Sequence, residues 1–519
     1  MSGHQFYALC AGWLMGIVFG TSNAVSYSEM PLILIFSGVF LLFVAYFVRN
    51  ARIGVVFLSA FCMLGFWHAT SAVQKFDTIA SSTEAVERSS VVVQIIPVDT
   101  TRTRIVLKDT EWEVYIRASL SDGVPKVGDS IVYSAKLKEP DAFVTETGRV
   151  FNYKEFSRAR NVMFDTKSFE YKSVGTDWLY KKVGVLYSFR DDIAATIVHS
   201  VREPEAGLAV AMLLGIGGTL DETENRVFRE VGLVHIVVLS GFHIMAIFGA
   251  MVFLCSFFLP YRMRFLVALG TTLLFSVMVG LTPTVVRADI MAICVSFAYL
   301  TGKGRSPLRA LAIAACLITF LAPYALLYDA GFQFSFLATF AIIVVTPVVT
   351  LFLRAVPTTF GLRSIVAATS SIELILTPLL SWSMGTFPLI GTFANVLVLP
   401  VVPFAMLASL LLWLMSLVSG SSISFFASLV TVSHGYIISV AHVLHALPYA
   451  HFTIATYELS TLSLVYLCVA TLILWLAYRR YGMPDKQKSA HSGPDVSWWK
   501  IETIGEIRAR QDASRQRPS

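Results

Sequence analysis

Charged residues are scarce in this chain of 519 residues: Asp, Glu, Lys and Arg make up only 14% of it, whereas hydrophobic residues make up 55%. A soluble domain averages about 25% charged residues, so the composition excludes an ordinary soluble protein and indicates a membrane protein. Several unbroken apolar runs approach the ~20 residues that a membrane-spanning helix needs, and they argue against a membrane β-barrel, whose strands alternate.

Cysteine is also scarce. The six cysteines all lie inside apolar stretches, where a thiol behaves as a small hydrophobic side chain. They indicate neither a disulfide framework nor a zinc knuckle. We therefore predict no metal site and no cofactor.

The apolar runs predict a polytopic α-helical protein with about 10–13 spans. A first cluster of runs predicts N-terminal transmembrane helices within 1–73, and a nearly continuous apolar region predicts a helical domain over 231–478. Within that domain, the stretch 386–400 is short and bounded by prolines. It predicts a broken or re-entrant helix, which survives only against protein or a water-filled cavity.

The segment 84–175 is different, because short strand-like runs alternate with turn signals there. It predicts a small all-β barrel or sandwich. Residues 183–230 predict amphipathic or interfacial helices. The tail 479–519 contains nine Lys or Arg and five Asp or Glu, and it predicts a basic, disordered segment that touches anionic lipid.

Short loops rich in Arg and Lys give the orientation, because such loops stay in the cytoplasm. They lie near residues 49–52, 262–264, 303–309, 354–363 and 479–480. The pattern predicts a multi-pass membrane protein with the β domain outside the cytoplasm and the C-terminus inside.

Polar side chains interrupt one apolar run at His235, Ser240, Gly241 and His243. Polar groups in a membrane segment usually face a bundle interior or an aqueous path, so these residues either pack helices or line a polar pore. A serine hydrolase is a third hypothesis, but Ser240 lacks a G-x-S-x-G elbow. On a continuous helix the two histidines would be about 12 Å apart, too far to share one metal ion.

Two further polar clusters open later spans. Arg287 and Asp289 follow Pro283, and Gln333 and Ser335 follow an acidic loop. An Arg at a helix start either anchors the helix at the membrane surface or binds phosphate, helped by exposed backbone N–H groups.

These segments, in this order, resemble the ComEC-type competence proteins. The matching stretches are Gly232-Leu233-Val234-His235 with Leu239-Ser240-Gly241-Phe242-His243, Val286-Arg287-Ala288, Asp329-Ala330-Gly331-Phe332-Gln333-Phe334-Ser335, and Asn395-Val396-Leu397-Val398-Leu399-Pro400. In the polar segment, Lys126-Val127-Gly128-Asp129 and Phe151-Asn152-Tyr153-Lys154-Glu155-Phe156 are similar to the family's extracytoplasmic OB-fold domain.

The resemblance implies an inner-membrane channel component that passes single-stranded DNA into the cytoplasm during natural transformation. The implied path residues are His235, Ser240, Gly241, His243, Arg287, Asp289, Gln333, Ser335 and Asn395, and no residue is assigned a catalytic role. Candidate DNA contacts on the β domain are Arg102, Arg104, Lys108 and Arg117. The sequence contains no P-loop motif, so the implied partners besides DNA and lipid are an extracytoplasmic DNA receptor, a cytoplasmic ATP-driven motor and a nuclease.

Two features of the sequence do not follow the family. No H-x-H-x-D-H motif occurs, so we expect the metallo-β-lactamase-like domain of longer members to be missing and the nuclease to be a separate protein. The second feature is Asp289, two residues after the motif arginine, which is more polar than the family pattern and argues against a purely anion-selective helix. In addition, the segment 84–175 carries 14 basic and 14 acidic residues, whereas a DNA groove should be basic. The alternative function is a transporter or flippase for an anionic lipid or glycan, without any role in handling DNA.

Overall fold

The computed structural model describes residues 3–22, 52–80, 87–97, 103–120, 124–144, 148, 150–166, 169–216, 218–301, 307–353, 355–358, 361–418, 422–454, 457 and 459–481. Three parts of the sequence predictions lie outside the described residues: residues 31–48 of the N-terminal apolar cluster, the candidate DNA contact Arg102, and the tail beyond Tyr481.

The first two described helices, α1 (Gly3–Thr21) and α2 (Arg52–Ala80), pack closely along their length. A Cβ built on Gly12 would lie 2.2 Å from the carbonyl oxygen of Leu58, and one built on Gly16 would lie 2.0 Å from that of Cys62. Small residues let helix backbones approach in this way.

The β domain is built on one six-stranded sheet. Its strands are β1 (Glu87–Pro97), β2 (Thr103–Asp109), β3 (Tyr115–Leu120), β4 (Asp129–Ser134), β7 (Val162–Thr166) and β8 (Tyr171–Thr176), in the order β7-β3-β2-β1-β4-β8. Strands β3 and β7 are parallel, and the other neighbours are antiparallel. A short hairpin, β5 (Phe143–Val144) and β6 (Val150–Phe151), leads into α3 (Tyr153–Ala159).

The core of this domain follows from alternation along the strands. In β2, Ile105 and Leu107 are fully buried, and Val106 between them is only partly buried. The residue pattern of 111–117 predicts a strand, but β3 begins only at Tyr115. The Asp109 carboxylate accepts hydrogen bonds from the backbone N–H groups of Glu111 and Trp112, at 2.9 and 2.8 Å. An Asp side chain of this kind holds the chain in a turn.

The remaining chain is mainly helical. Its helices are α4 (Trp178–Ser200), α5 (Glu205–Leu214), α6 (Glu222–Glu230), α7 (Val234–Val237), α8 (Gly241–Cys255), α9 (Tyr261–Val279), α10 (Pro283–Thr301), α11 (Pro307–Leu321), α12 (Ala325–Tyr328), α13 (Ala330–Phe340), α14 (Thr346–Thr350), α15 (Leu362–Met384), α16 (Gly391–Val398), α17 (Val402–Ser416), α18 (Ser422–His445) and α19 (Leu459–Tyr481). A π-helical turn, Ala341–Val345, joins α13 to α14, and two short strands, β9 (Thr386–Pro388) and β10 (His451–Thr453), pair with each other.

Four helical stretches in the described residues are long and apolar enough to cross a membrane: α9, Ala330–Thr350, α15 and α18. The pair α16 and α17, bent by 46°, makes a fifth if it counts as one span. This bend lies between Val398 and Val402, at the C-terminal end of the stretch 386–400 where a break is predicted. Other predicted runs correspond to shorter apolar helices, so the higher count of about 10–13 spans stays a prediction.

The β domain packs on helix-connecting segments of the helical part. Arg160, just after α3, approaches the Asp329 carboxylate between α12 and α13, with an N–O distance of 3.7 Å. Phe76 of α2 belongs to the buried core of the β domain, and its ring packs edge-on against Tyr324, with ring centroids 5.7 Å apart. The β domain therefore lies next to the start of α13, one of the segments that carry the family-like motifs.

Candidate functional site

The apolar run around residue 240 is broken at the polar residues that the sequence singled out. Helix α7 ends at Val237, and α8 begins at Gly241. Between them, Val238 and Ser240 have an extended backbone. The apolar run is therefore not one continuous helix.

Ser240 and His243 form the cap of α8. The backbone N–H of Ser240 donates to His243 Nδ1 at 3.0 Å, and the Ser240 hydroxyl lies 3.0 Å from the same nitrogen. His243 is buried. Because Nδ1 already accepts the backbone hydrogen bond, it is poorly placed to take a proton from Ser240, and the pair resembles a capping box more than a nucleophile with its base.

Arg287 projects from α10 onto this break. Its side chain is buried, and its Nη1 donates to the backbone carbonyl of Ser335 and to the Thr339 hydroxyl, the latter at 3.0 Å. A Cβ built on Gly241 would lie 2.4 Å from Arg287 Nη2. Among the described residues, Arg287 forms no ion pair, so its charge lacks a compensating carboxylate there. We call Ser240, Gly241, His243, Arg287 and Thr339 the polar layer.

Asp289 does not neutralise Arg287. Two residues along an α-helix are about 200° apart around its axis, and Asp289 is directed to α9, where its carboxylate accepts a hydrogen bond from the Ser276 hydroxyl at 2.8 Å. Both Asp289 and Ser276 are buried. The acidic residue that made an anion-binding role questionable therefore has a different neighbour.

Gln333 and Asp329 hold the start of α13. The Gln333 amide nitrogen donates to the carbonyls of Leu326 and Leu327, at 3.1 and 2.7 Å. The Asp329 carboxylate accepts from the backbone N–H of Gly331 at 2.8 Å, as an N-cap does. These bonds give the side chains of Asp329 and Gln333 a structural role. Of the two predicted path residues in this segment, Gln333 and Ser335, only Ser335 contacts the polar layer, through its backbone carbonyl.

Asn395 belongs to a second polar group. It is buried in α16, and its side-chain oxygen has no hydrogen-bond partner within the described residues. One turn earlier, the Thr392 hydroxyl donates to the Glu373 carboxylate of α15. Glu373 is not among the predicted site residues, although an isolated acidic residue within a 23-residue apolar helix is a sufficient signal. His235, in contrast, is exposed on α7.

The basic candidates on the β domain share one side of the sheet. Arg104 and Lys108 alternate with the buried residues of β2, and Arg117 on β3 lies opposite Val106 between them. Arg117 is already occupied, because it donates to the Tyr153 hydroxyl and lies 3.6 Å from the Asp165 carboxylate. Burial raises the pKa of Asp165, while Arg117 and Arg104 oppose that shift.

Beside them lies a group of four rings that we call the aromatic cluster: Phe143, Phe151, Tyr153 and Phe156. Neighbouring ring centroids are 5.3–6.2 Å apart, and Phe143 remains 50% exposed. The guanidinium of Arg160 lies 4.3 Å from the Phe156 ring centre, and that of Arg117 lies 5.3 Å from the Tyr153 ring centre. The cluster combines exposed aromatic surface with cations, as single-strand binding surfaces do.

Comparison with known proteins locates this arrangement in a family. The sequence profile of the competence protein family matches residues 212–479, which is more than half of the chain. The chain belongs to the competence protein family. All the residues of the polar layer, and Asn395 as well, lie inside the match. The β domain lies outside it.

A curated relative agrees with this family assignment. ComE operon protein 3 of Bacillus subtilis (strain 168) is 24% identical to this competence protein over 289 residues, covering 54% of this chain and 35% of the relative. The match thus spans about a third of that relative's length. No solved structure matches the chain. Family membership and the four or five candidate spans together indicate a membrane protein.

Proposed function

We propose that this competence protein is an inner-membrane transport component, without an enzymatic role of its own, that passes single-stranded DNA into the cytoplasm during natural transformation. The family match supports a role in competence. The resemblance of the polar motifs to ComEC-type proteins supports the choice of single-stranded DNA as the substrate.

The observation that carries the proposal is the position of Arg287. A buried cation in an apolar bundle is costly and usually marks a substrate path. Arg287 hydrogen-bonds to neutral groups and has no ionic partner among the described residues. A DNA phosphate passing the break would supply the missing negative charge, and the N-terminal end of the 15-residue helix α8 would add a partial positive charge.

The proposed orientation places the N-terminus in the cytoplasm and the β domain outside. Its support is the distribution of charge: Arg262 and Arg264 lie at the start of α9, and Arg309 lies at the start of α11. The β domain approaches the opposite ends of these helices, since Gln94 lies next to Gly280 and Arg160 next to Asp329. Basic loops on one side and the β domain on the other fit the positive-inside rule.

An OB-like barrel is our proposal for the β domain. In support of it, β1 pairs with both β2 and β4, and β3 pairs in parallel with β7. Beyond β4, Lys138 forms an antiparallel bridge with Asp165 of β7, with backbone hydrogen bonds of 3.1 and 2.8 Å. Of the six strands, β7, β3, β2, β1 and β4 are consecutive neighbours. The bridge connects the chain just after β4 back to β7, as closure of a small five-stranded barrel requires.

The aromatic cluster is the proposed first binding surface for the single-stranded DNA. Bases of any sequence stack on aromatic rings, and nearby arginines attract the backbone. The Arg160 guanidinium lies over the Phe156 ring of this cluster and also approaches the Asp329 carboxylate, which precedes α13. A strand bound there would lie next to the helix whose Ser335 and Thr339 hold Arg287. Membrane lipids, a DNA receptor, an ATP-driven motor and a nuclease complete the proposed set of partners.

The test is DNA uptake in a deletion strain that is complemented with variants. We expect Arg287→Ala to abolish accumulation of labelled DNA in the DNase-protected cytoplasmic pool while membrane abundance stays normal. Arg309→Ala is the matched control, since Arg309 is exposed at the start of α11. Normal uptake in the deletion strain would refute transport of DNA. Equal loss of uptake and abundance in Arg287→Ala would make the residue structural.

A further inference from the structure

Three ligand-type side chains meet where three elements end or begin. Glu230 is the last residue of α6, His445 is the last residue of α18, and His451 is the first residue of β10. His445 Nε2 lies 2.6 Å and His451 Nε2 lies 3.6 Å from Glu230 Oε2. All three are only partly buried, with 18–31% of their side chains exposed, so an ion from solution has access to them.

The positions of the ligand atoms suit a small divalent ion. One atom from each residue lies within 4.8 Å of the others. Zinc binds His nitrogen and carboxylate oxygen at 2.0–2.2 Å, which sets neighbouring ligand atoms of a tetrahedral site about 3.3 Å apart. The two separations from Glu230 Oε2, 2.6 and 3.6 Å, lie on either side of that value. Small side-chain rotations would therefore admit an ion.

The chemistry of the set also selects the ion. Two imidazoles and one carboxylate favour Zn²⁺ and similar transition metals over Mg²⁺ or Ca²⁺, which prefer oxygen ligands. The rings of His445 and His451 are nearly parallel, with 13° between their planes and 5.6 Å between their centroids. Their Nε2 atoms both approach the same carboxylate, so a water molecule would complete a four-coordinate site.

Although the sequence predicts no metal site, we propose that Glu230, His445 and His451 bind one divalent transition-metal ion of the Zn²⁺ type. The site fastens α6 to the end of α18 and to the β9–β10 pair. A Cβ built on Gly232, just after α6, would lie 3.2 Å from Pro388 of β9 and 3.3 Å from Gly391 of α16. The ion would thus hold together the chain segments that lead into α7 and α16, and this inference does not depend on the proposed function.

A neighbouring pair provides an internal control. His442 Nε2 lies 3.0 Å from the Glu224 carboxylate, one helical turn before His445. This pair joins the same two helices, α6 and α18, but it has no third ligand within the described residues. A variant at His442 therefore removes a histidine and a contact between helices, yet it leaves the proposed site complete.

The experiment uses the full chain, purified in detergent without a histidine tag and stripped with EDTA. After dialysis against Zn²⁺ with a weak chelator, we expect about one equivalent of bound zinc by mass spectrometry. His445→Ala, His451→Ala and Glu230→Gln should each weaken zinc binding by at least about tenfold, since even the loss of a supporting contact costs that much. His442→Ala should bind zinc as the wild type does.

A second measurement remains valid if a variant does not fold. Co²⁺ added to the stripped wild type should give visible d–d absorption bands of a low-coordinate nitrogen and oxygen site, and Zn²⁺ should abolish them. Wild-type protein that binds no zinc and gives no such bands would overturn the proposal and leave Glu230 and His445 as a hydrogen-bonded pair. Equal loss of zinc in His442→Ala would also overturn it.

Discussion

Arg287 lies so close to Gly241 that any side chain on the glycine would collide with it: a Cβ built there is 2.4 Å from Arg287 Nη2. The guanidinium cannot simply swing away, because its Nη1 is held by the Ser335 carbonyl and the Thr339 hydroxyl. The glycine at the start of α8 therefore provides room for the arginine of α10. This contact joins two of the family-like motifs in one layer.

Gly241→Ala is therefore expected to displace Arg287 and to reduce DNA uptake strongly, although alanine favours helix formation. Gly249→Ala is the matched control on the same helix, because a Cβ at Gly249 meets nothing within 4 Å. Uptake of labelled DNA and membrane abundance measure the effect. Similar uptake in the two variants would contradict the steric argument.

Asp289→Asn should leave DNA uptake at the wild-type level. The carboxylate is hydrogen-bonded to Ser276 at 2.8 Å, and an asparagine oxygen accepts the same bond. If Asp289 does not neutralise Arg287, removing its charge leaves the polar layer unchanged. A loss of uptake as severe as that of Arg287→Ala, at normal abundance, would show that the carboxylate belongs to the path.

Phe143→Ala should weaken the binding of a fluorescent oligo-dT strand to the full chain in detergent, as measured by anisotropy. Stacking of one base on an aromatic ring is worth about 1–3 kcal/mol, which corresponds to a loss of affinity of roughly 5- to 150-fold. Val174→Ala is the control, since Val174 is 59% exposed on the same domain. Equal affinities of the two variants for the oligonucleotide would exclude the aromatic cluster as the first binding surface for DNA.

Glu155 makes the stability of the β domain depend on pH. Burial raises the pKa of Glu155, and the nearby Arg158 opposes the shift only in part. A carboxyl whose folded-state pKa lies above its unfolded value contributes stability that is fully present below the unfolded pKa and is lost as pH rises through the folded pKa. Glu155→Gln should therefore stabilise the domain more at pH 7 than at pH 4.

Hydrogen exchange of peptides covering 150–166 in the full chain checks this prediction. The variant should exchange more slowly than the wild type at pH 7, and the difference should shrink at pH 4 once intrinsic exchange rates are corrected. Arg158 keeps the carboxylates of Asp77 and Glu139, each at 3.1 Å, so the variant should fold. A difference that grows towards acid pH would contradict the direction of the shift.

The sequence predicts well those features that depend on local composition. The strand-rich segment, the apolar helices and the bend near Pro400 all follow from residue patterns. Glu373 was equally predictable, since a lone acidic residue in an apolar helix stands out. The cap formed by Ser240 and His243 was not predicted, because apolar residues surround the break, and periodicity alone cannot locate it.

Contacts between distant segments were beyond the sequence. The neighbours of Arg287 come from α8 and α13, and which side of α10 faces them depends on tertiary packing. The same holds for Asp289, whose partner Ser276 lies on α9. Glu230 precedes His445 and His451 by more than 200 residues in the sequence, so only the fold brings the three together.

The central claim is that single-stranded DNA passes the polar layer, and a cross-linking measurement tests it most directly. A photoreactive amino acid is placed at Val238, which is 56% exposed in the break before Ser240, and, as a control, at Val432, which is 71% exposed on α18. During uptake of labelled DNA we expect a covalent adduct of protein and DNA from position 238 and none from position 432. Uptake at the normal rate with no adduct from position 238, or with equal adducts from both positions, would contradict the claim.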